Sequence, residues 1–193
     1  MRNQLAPAFR VTLFLTILTG LIYPSVVTGL CQMLFPHRAN GSLVRTDAMI
    51  RGSALIGQNF AMPKYFHPRP SAAGADGYDA SNSNGSNLGP TNQKLIDRVK
   101  GDIEKFRQEN SDYEGPLPAD LLTASGSGLD PDISPASALA QAARVAKARG
   151  VTPTQIEQFV SNHTTPRQLG FLGEPRINVL EINLALDRQF PAQ

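Results

Sequence analysis

From Val11 to Pro36 the chain runs 26 residues without a charge, and beyond that run its apolar positions break into short periodic groups. About 20 apolar residues cross a bilayer, so this run is long enough to span one with some tilt. A cleaved secretory signal would have a shorter apolar core and a small-x-small site after it. Here the run ends in Cys31-Gln32-Met33-Leu34-Phe35, with no such site. The pattern predicts a short leading segment 1–10, an uncleaved membrane helix over 11–36, and one soluble domain over 37–193.

Within that domain, Ser42–Phe60 mixes Leu43, Val44, Ile50, Leu55 and Ile56 with Gly52 and Gly57, which predicts short strands separated by turns. Asn92–Asn110 sets Leu95, Ile96, Val99, Ile103 and Phe106 at helical spacing against charged positions. Three further helix starts carry cap chemistry. Ser134-Pro135 opens an Ala-rich helix running to Gly150. Thr152-Pro153-Thr154-Gln155 opens another with a capping box. Asn178 caps a last helix carrying Leu180, Leu184 and Leu186. Arg167–Arg176 is punctuated by Gly and Pro and fits a turn or short strand. The fold class is α+β: a single N-terminal transmembrane helix followed by one helix-rich domain.

Two stretches have no period. In 67–92, 17 of 26 residues are Gly, Pro, Ser, Asn or Asp, the types that satisfy backbone groups locally. Only Tyr78 and Leu88 stand out as core anchors there. The run is long for a compact domain, but it lacks the repeats and excess charge of a disordered tail. It reads as an ordered binding loop rather than a linker, with Arg69, Ser71, Asp76, Tyr78, Asn82, Asn84 and Asn87 as candidate partner contacts. The second stretch, 123–135, leads into a helix N-terminus.

Charge orients the anchor. The net charge of +2 is carried by Arg2 and Arg10; from Arg38 onward 16 Lys plus Arg balance 16 Asp plus Glu. A purely basic leader favours a cytoplasmic N-terminus and places the domain outside the cytoplasm. Arg38, Arg45 and Arg51, just past the span, weigh against that bias. The neutral domain offers no basic stripe for nucleic acid; Arg144, Lys147 and Arg149 read as a helix C-terminus complementing its dipole. The single Cys31 excludes an internal disulfide and a cysteine metal site.

Candidate chemistry is sparse. Ser125-Gly126-Ser127-Gly128 lacks the Lys of a Walker loop and the GxSxG context of a nucleophile elbow. His37, His67 and His163 have no ligand spacing. Six acids and no base lie between Gln108 and Ala143, which is either a cation-concentrating surface or a solvated flank. In the anchor, Thr16, Gly20, Pro24 and Thr28 recur every four residues, a small-residue stripe that lets another membrane helix approach.

With its N-terminal span, GSALIGQNF at 52–60, RPSAAGADGYDA at 69–80, SNLGPTN at 86–92 and SGSGLDPDISPASALAQAARVAKARG at 125–150, the chain resembles the C subunit of the bacterial Kdp potassium-transporting P-type ATPase. The resemblance runs essentially end to end. It implies a non-catalytic subunit of a high-affinity potassium uptake pump in the bacterial inner membrane, needed for assembly of the complex. The implied partners are an ion-conducting channel-like subunit, an ATP-hydrolysing P-type subunit and a small membrane peptide. It also implies a catalytic chaperone that raises the ATP affinity of the hydrolysing subunit, with Ser125, Gly126, Ser127, Gly128 and Gln141 at the nucleotide. No tightly bound cofactor is implied; ATP enters through the complex. Thr16, Gly20 and Thr28 would face a partner helix. The reading from another class, a membrane-anchored extracytoplasmic enzyme or binding protein, would require convergent catalytic groups, and the motifs above supply none.

Overall fold

The computed structural model describes residues 2–191, with side chains from residue 4 onward. Met1, Ala192 and Gln193, at the ends of the 1–10 and 37–193 segments, lie outside the described residues. The chain divides into two units, Met1–Leu43 and Val44–Gln193.

The first unit is a long helix: α1 (Arg2–Ile17), a π-helical turn at Leu18–Ile22, and α2 (Tyr23–Leu34). Pro24 explains the π turn. It has no N–H to give to Gly20, and its ring would press on that carbonyl in a regular helix. The turn widens instead, and the Tyr23 N–H reaches the carbonyl of Leu18. The Thr19 hydroxyl donates to the Leu15 carbonyl at 2.7 Å, a second local perturbation. Gln4–Leu34 is long and apolar enough to cross a membrane. Phe35 leaves the helical region, and a short helix α3 (Pro36–Ala39) follows. The chain then folds back: Asn40 Nδ2 donates to Gln32 Oε1 at 3.2 Å and to the Pro36 carbonyl at 2.7 Å.

The hairpin β1 (Leu43–Thr46) and β2 (Met49–Ser53) forms the predicted short strands. Its two turn residues, Asp47 and Ala48, have φ of 52° and 62°, the conformation of a type I′ turn. Next come α4 (Gln93–Glu109), β3 (Asp132–Ile133), α5 (Pro135–Arg149), α6 (Pro153–Asn162), β4 (Ile177–Asn178) and α7 (Val179–Gln189). The caps read from the sequence are present. Ser134 accepts from the Ser137 N–H, Thr152 and Gln155 form a reciprocal capping box, and Asn178 accepts from the Glu181 N–H. Gly150 ends α5 in the left-handed conformation, φ 66°.

The core lies among α5, α6 and α7. The alanines Ala138, Ala142 and Ala146 let Ile156, Phe159 and Val160 of α6 approach closely, and Val179, Ile182 and Leu186 of α7 join them. The strand pair β3–β4 runs antiparallel, Ile133 opposite Ile177, and both side chains enter this core. Arg167–Arg176 folds back through bridges Thr165–Arg176 and Gln168–Leu172.

Two helix faces differ from expectation. In α7 the buried apolar positions are Val179, Leu180, Ile182 and Leu186, whereas Leu184 is half-buried. In α4 only Phe106 is buried, against Leu121 and Ala140; Leu95, Val99 and Ile103 are half-covered and Ile96 is exposed. The core that α4 meets lies at its C-terminal end, so the periodic stripe continues past what it packs on.

Candidate partner-binding surface

The 67–92 loop is led in by a segment whose backbone is held by side chains. Five successive carbonyls, Pro63 to His67, each accept a side-chain hydrogen bond. Arg144 donates to Pro63 and, at 3.0 Å, to Tyr65. Arg149 Nε donates to Lys64 at 2.8 Å, Asn183 Nδ2 to Phe66 at 2.9 Å and Gln141 Nε2 to His67 at 3.1 Å. The Asn183 and Gln141 carbonyl oxygens in turn accept from the Phe66 and His67 N–H groups, both at 2.8 Å. Side chains from α5 and α7 thus do for this segment what a neighbouring strand does in a sheet. Phe66, fully buried, is its apolar plug.

This revises the basic cluster. Arg144 and Arg149 are buried and spent on carbonyls, and only Lys147 of the three is at the surface. Arg144 also donates to Asn110 Oδ1 at 3.0 Å and to Gln141 Oε1 at 2.6 Å. Burial pulls its guanidinium down to about 10. Arg149 pairs with Asp187 at 2.9 Å and lies over the Tyr65 ring. One signal in the sequence pointed here: Ser137, Gln141 and Arg144 form a polar stripe on an otherwise Ala-rich helix.

The loop itself is pinned on the 123–131 strip. Arg69 pairs with Asp130 at 2.6 Å. The Ser71 hydroxyl donates to the Gly128 carbonyl at 2.6 Å and accepts from the Ala73 and Tyr78 N–H groups at 3.2 and 2.8 Å. The Tyr78 hydroxyl donates to the Arg69 carbonyl, and burial raises its pKa. The Ser83 hydroxyl and the Asn84 N–H both donate to the Ser127 carbonyl at 3.0 Å. Ala73, fully buried, is an anchor that the sequence did not reveal.

Gly128, alone of the two glycines in Ser125–Gly128, is required by this contact. A Cβ on Gly128, at φ 68°, would sit 2.5 Å from the Asn84 carbonyl and 2.7 Å from the Ala73 nitrogen. A Cβ on Gly85 would meet the Gly126 carbonyl at 2.8 Å. At Gly128 and Gly85 two backbones touch, an approach that only a residue without a Cβ allows. Gln141 is 1% exposed and its amide is wholly engaged.

The acidic stretch resolves into separate tasks. Asp120 accepts from the Ser134 N–H and the Ser137 hydroxyl at 2.7 and 2.6 Å. Asp130 holds Arg69, Asp132 pairs with Arg176 at 3.0 Å, and Glu109 lies 3.4 Å from His67. Asp112 and Glu114 are exposed. Among the described residues no group of three or more His, Cys, Asp or Glu could hold a metal ion.

Of the expected partner contacts, Arg69, Ser71 and Tyr78 therefore face inward and hold the loop. Asn84 holds it through its backbone while its Oδ1 accepts from Asn87 Nδ2 at 3.4 Å. Asp76, Asn82 and Asn87 stand exposed, and Asn87 keeps a left-handed φ of 50°. In the anchor Thr16, Gly20 and Thr28 are exposed, with open space around Gly20.

A helix long and apolar enough to cross a membrane, joined to a domain whose 67–92 loop is pinned on its inner side and exposes Asp76, Asn82 and Asn87, is the architecture of a single-pass membrane subunit. Comparison with known proteins makes this specific. The profile of the KdpC family, the c chain of K+-transporting ATPase, matches residues 5–188. A potassium-transporting ATPase KdpC subunit from Gemmatimonas aurantiaca is 57% identical over 187 residues, covering 97% of this chain and 94% of that protein. Those of Rhodospirillum rubrum and Mycobacterium tuberculosis are 57% identical over 191 residues and 52% over 189, covering 99% and 97% of this chain and 98% and 100% of theirs. The chain belongs to the KdpC family, the non-catalytic C subunit of the Kdp potassium-transporting ATPase.

Proposed function

We propose that this subunit holds the Kdp complex together by docking its 67–92 loop on the ion-conducting subunit, outside the cytoplasm, while its anchor packs against a membrane helix of the complex. The observation that carries this reading is the two-sidedness of the loop. Its inward groups are spent on the 123–131 strip, whereas Asp76, Asn82 and Asn87 are exposed. A surface fixed before binding loses little conformational entropy when a partner arrives. The basic leader supports the orientation.

A second reading, direct contact with nucleotide through Ser125–Gly128 and Gln141, has less support. Gln141 is buried, and the Ser/Gly backbone is packed against Ala73, Asn84 and Gly85. The proposed orientation also puts these residues across the membrane from cytoplasmic ATP. We assign them to the frame of the loop; an effect on ATP affinity would then be transmitted through the assembled complex.

The test is the double variant Asn82→Ala/Asn87→Gly, which removes two exposed amides while glycine keeps the left-handed backbone at 87. Retention of the subunit in the purified complex and potassium uptake at scarce potassium should fall together, with thermal unfolding unchanged. If both stay at the unmodified level, the outer face of the loop is not a contact.

A further inference from the structure

We propose that the β1–β2 hairpin is a lipid-contacting element, with Met49 and Ile50 in the headgroup layer of the leaflet where the anchor ends and Arg45 and Arg51 on the phosphates of anionic lipids. Covalent reach puts lipid within range. Asn40 is hydrogen-bonded to Gln32 in the last turns of the anchor, and Leu43 follows Asn40 by three residues, at most about 10 Å of chain. β1 therefore starts near the membrane surface.

The hairpin's surface fits that place. Met49 and Ile50 open β2 directly after the turn, on its two opposite faces and beside the strand arginines, and each is 56% exposed. Arg45 and Arg51 are exposed, and none of the ion pairs among the described residues involves them. Asp47, in the turn, is the only acid between Val11 and Ala75. Arginines beside apolar residues suit the boundary between acyl chains and phosphates, where the stem lies on apolar surface and the guanidinium reaches the headgroup. Charge selects the lipid: a basic side chain near an anionic surface favours contact by about fivefold. Arg45 and Arg51, two of the three arginines after the span that oppose the charge bias of the leader, gain a purpose here whichever side the domain occupies.

The test uses the assembled pump in lipid nanodiscs. With Cys31→Ala as background, Ile50→Cys and, as an aqueous control, Asp112→Cys each carry one nitroxide label. Collision with oxygen is compared with collision with a water-soluble nickel chelate. In discs of phosphatidylcholine with phosphatidylglycerol, the label at 50 should favour oxygen and the label at 112 nickel. Arg45→Gln/Arg51→Gln should reduce the lipid-contacting population at 50 by roughly fivefold for each arginine, and discs of phosphatidylcholine alone should show a comparable loss. The proposal is overturned if the label at 50 favours nickel in the anionic discs. It is equally overturned if oxygen preference ignores both the arginines and the anionic lipid. A label shielded from both colliders would show that a protein surface covers the hairpin instead.

Discussion

At the scale of single residues, most of the organisation rests on buried polar side chains that grip backbone. Gln141 is the clearest. Its amide closes on both backbone polar groups of His67 and accepts from Arg144, so truncation would strand three partners, two half-buried and one buried. Gln141→Ala should destabilise the domain by about 2–4 kcal/mol, as unsatisfied buried groups do, measured as a fall in the thermal or urea midpoint. His67 adds a pH dependence. Burial first, then the neighbouring Arg144, hold its imidazole below the ordinary 6.5, against Glu109 and the Met62 carbonyl, which favour the cation. The unfolded chain therefore takes up a proton before the folded one does, and stability falls as pH drops through 6.5 toward the lower folded value. Below that value this contribution levels off. His67→Gln should flatten that part of the stability curve; an unchanged slope would assign it to other groups. These roles were poorly legible in the sequence. Arg144 and Arg149 look like a helix C-terminus by position, because a local rule cannot register that the carbonyls they bind lie some eighty residues away. Gly128 is hard to read for the same reason: the Asn84 carbonyl and Ala73 nitrogen that exclude a Cβ there are distant in the chain.

At the scale of elements, local chemistry is legible in the sequence. Ser134, Thr152 and Asn178 cap the helices expected of them, and Asn92 and Asn110 bracket α4, because a cap is settled within four residues. What each helix packs on was less legible: α4 carries five apolar positions and buries one of them, Phe106. The anchor shows the same division. Its length and Pro24 were plain, whereas the π turn follows from the proline in three dimensions. The open face at Gly20 gives a prediction at this scale. Gly20→Leu adds bulk where close helix approach is proposed, and should lower recovery of the assembled complex without preventing membrane insertion. Equal recovery from detergent would show that the Thr16/Gly20/Thr28 stripe faces lipid.

At the scale of the whole molecule, each unit contributes one half of a tethered subunit: a span that fixes it in the bilayer, and a domain whose core of α5, α6 and α7 serves as a clamp for the 63–67 segment and the loop beyond. Membership of the KdpC family says which complex this serves. How the loop serves it rests on Asn82 and its neighbours meeting the ion-conducting subunit. The most direct measurement is photo-cross-linking from that position, with a photoreactive amino acid replacing Asn82 in the pump assembled in native membranes. A cross-link to the ion-conducting subunit is expected from 82, and none when the same group replaces the exposed Lys147 of α5. Failure of 82 to cross-link, or a product with the ATP-hydrolysing subunit alone, would contradict it.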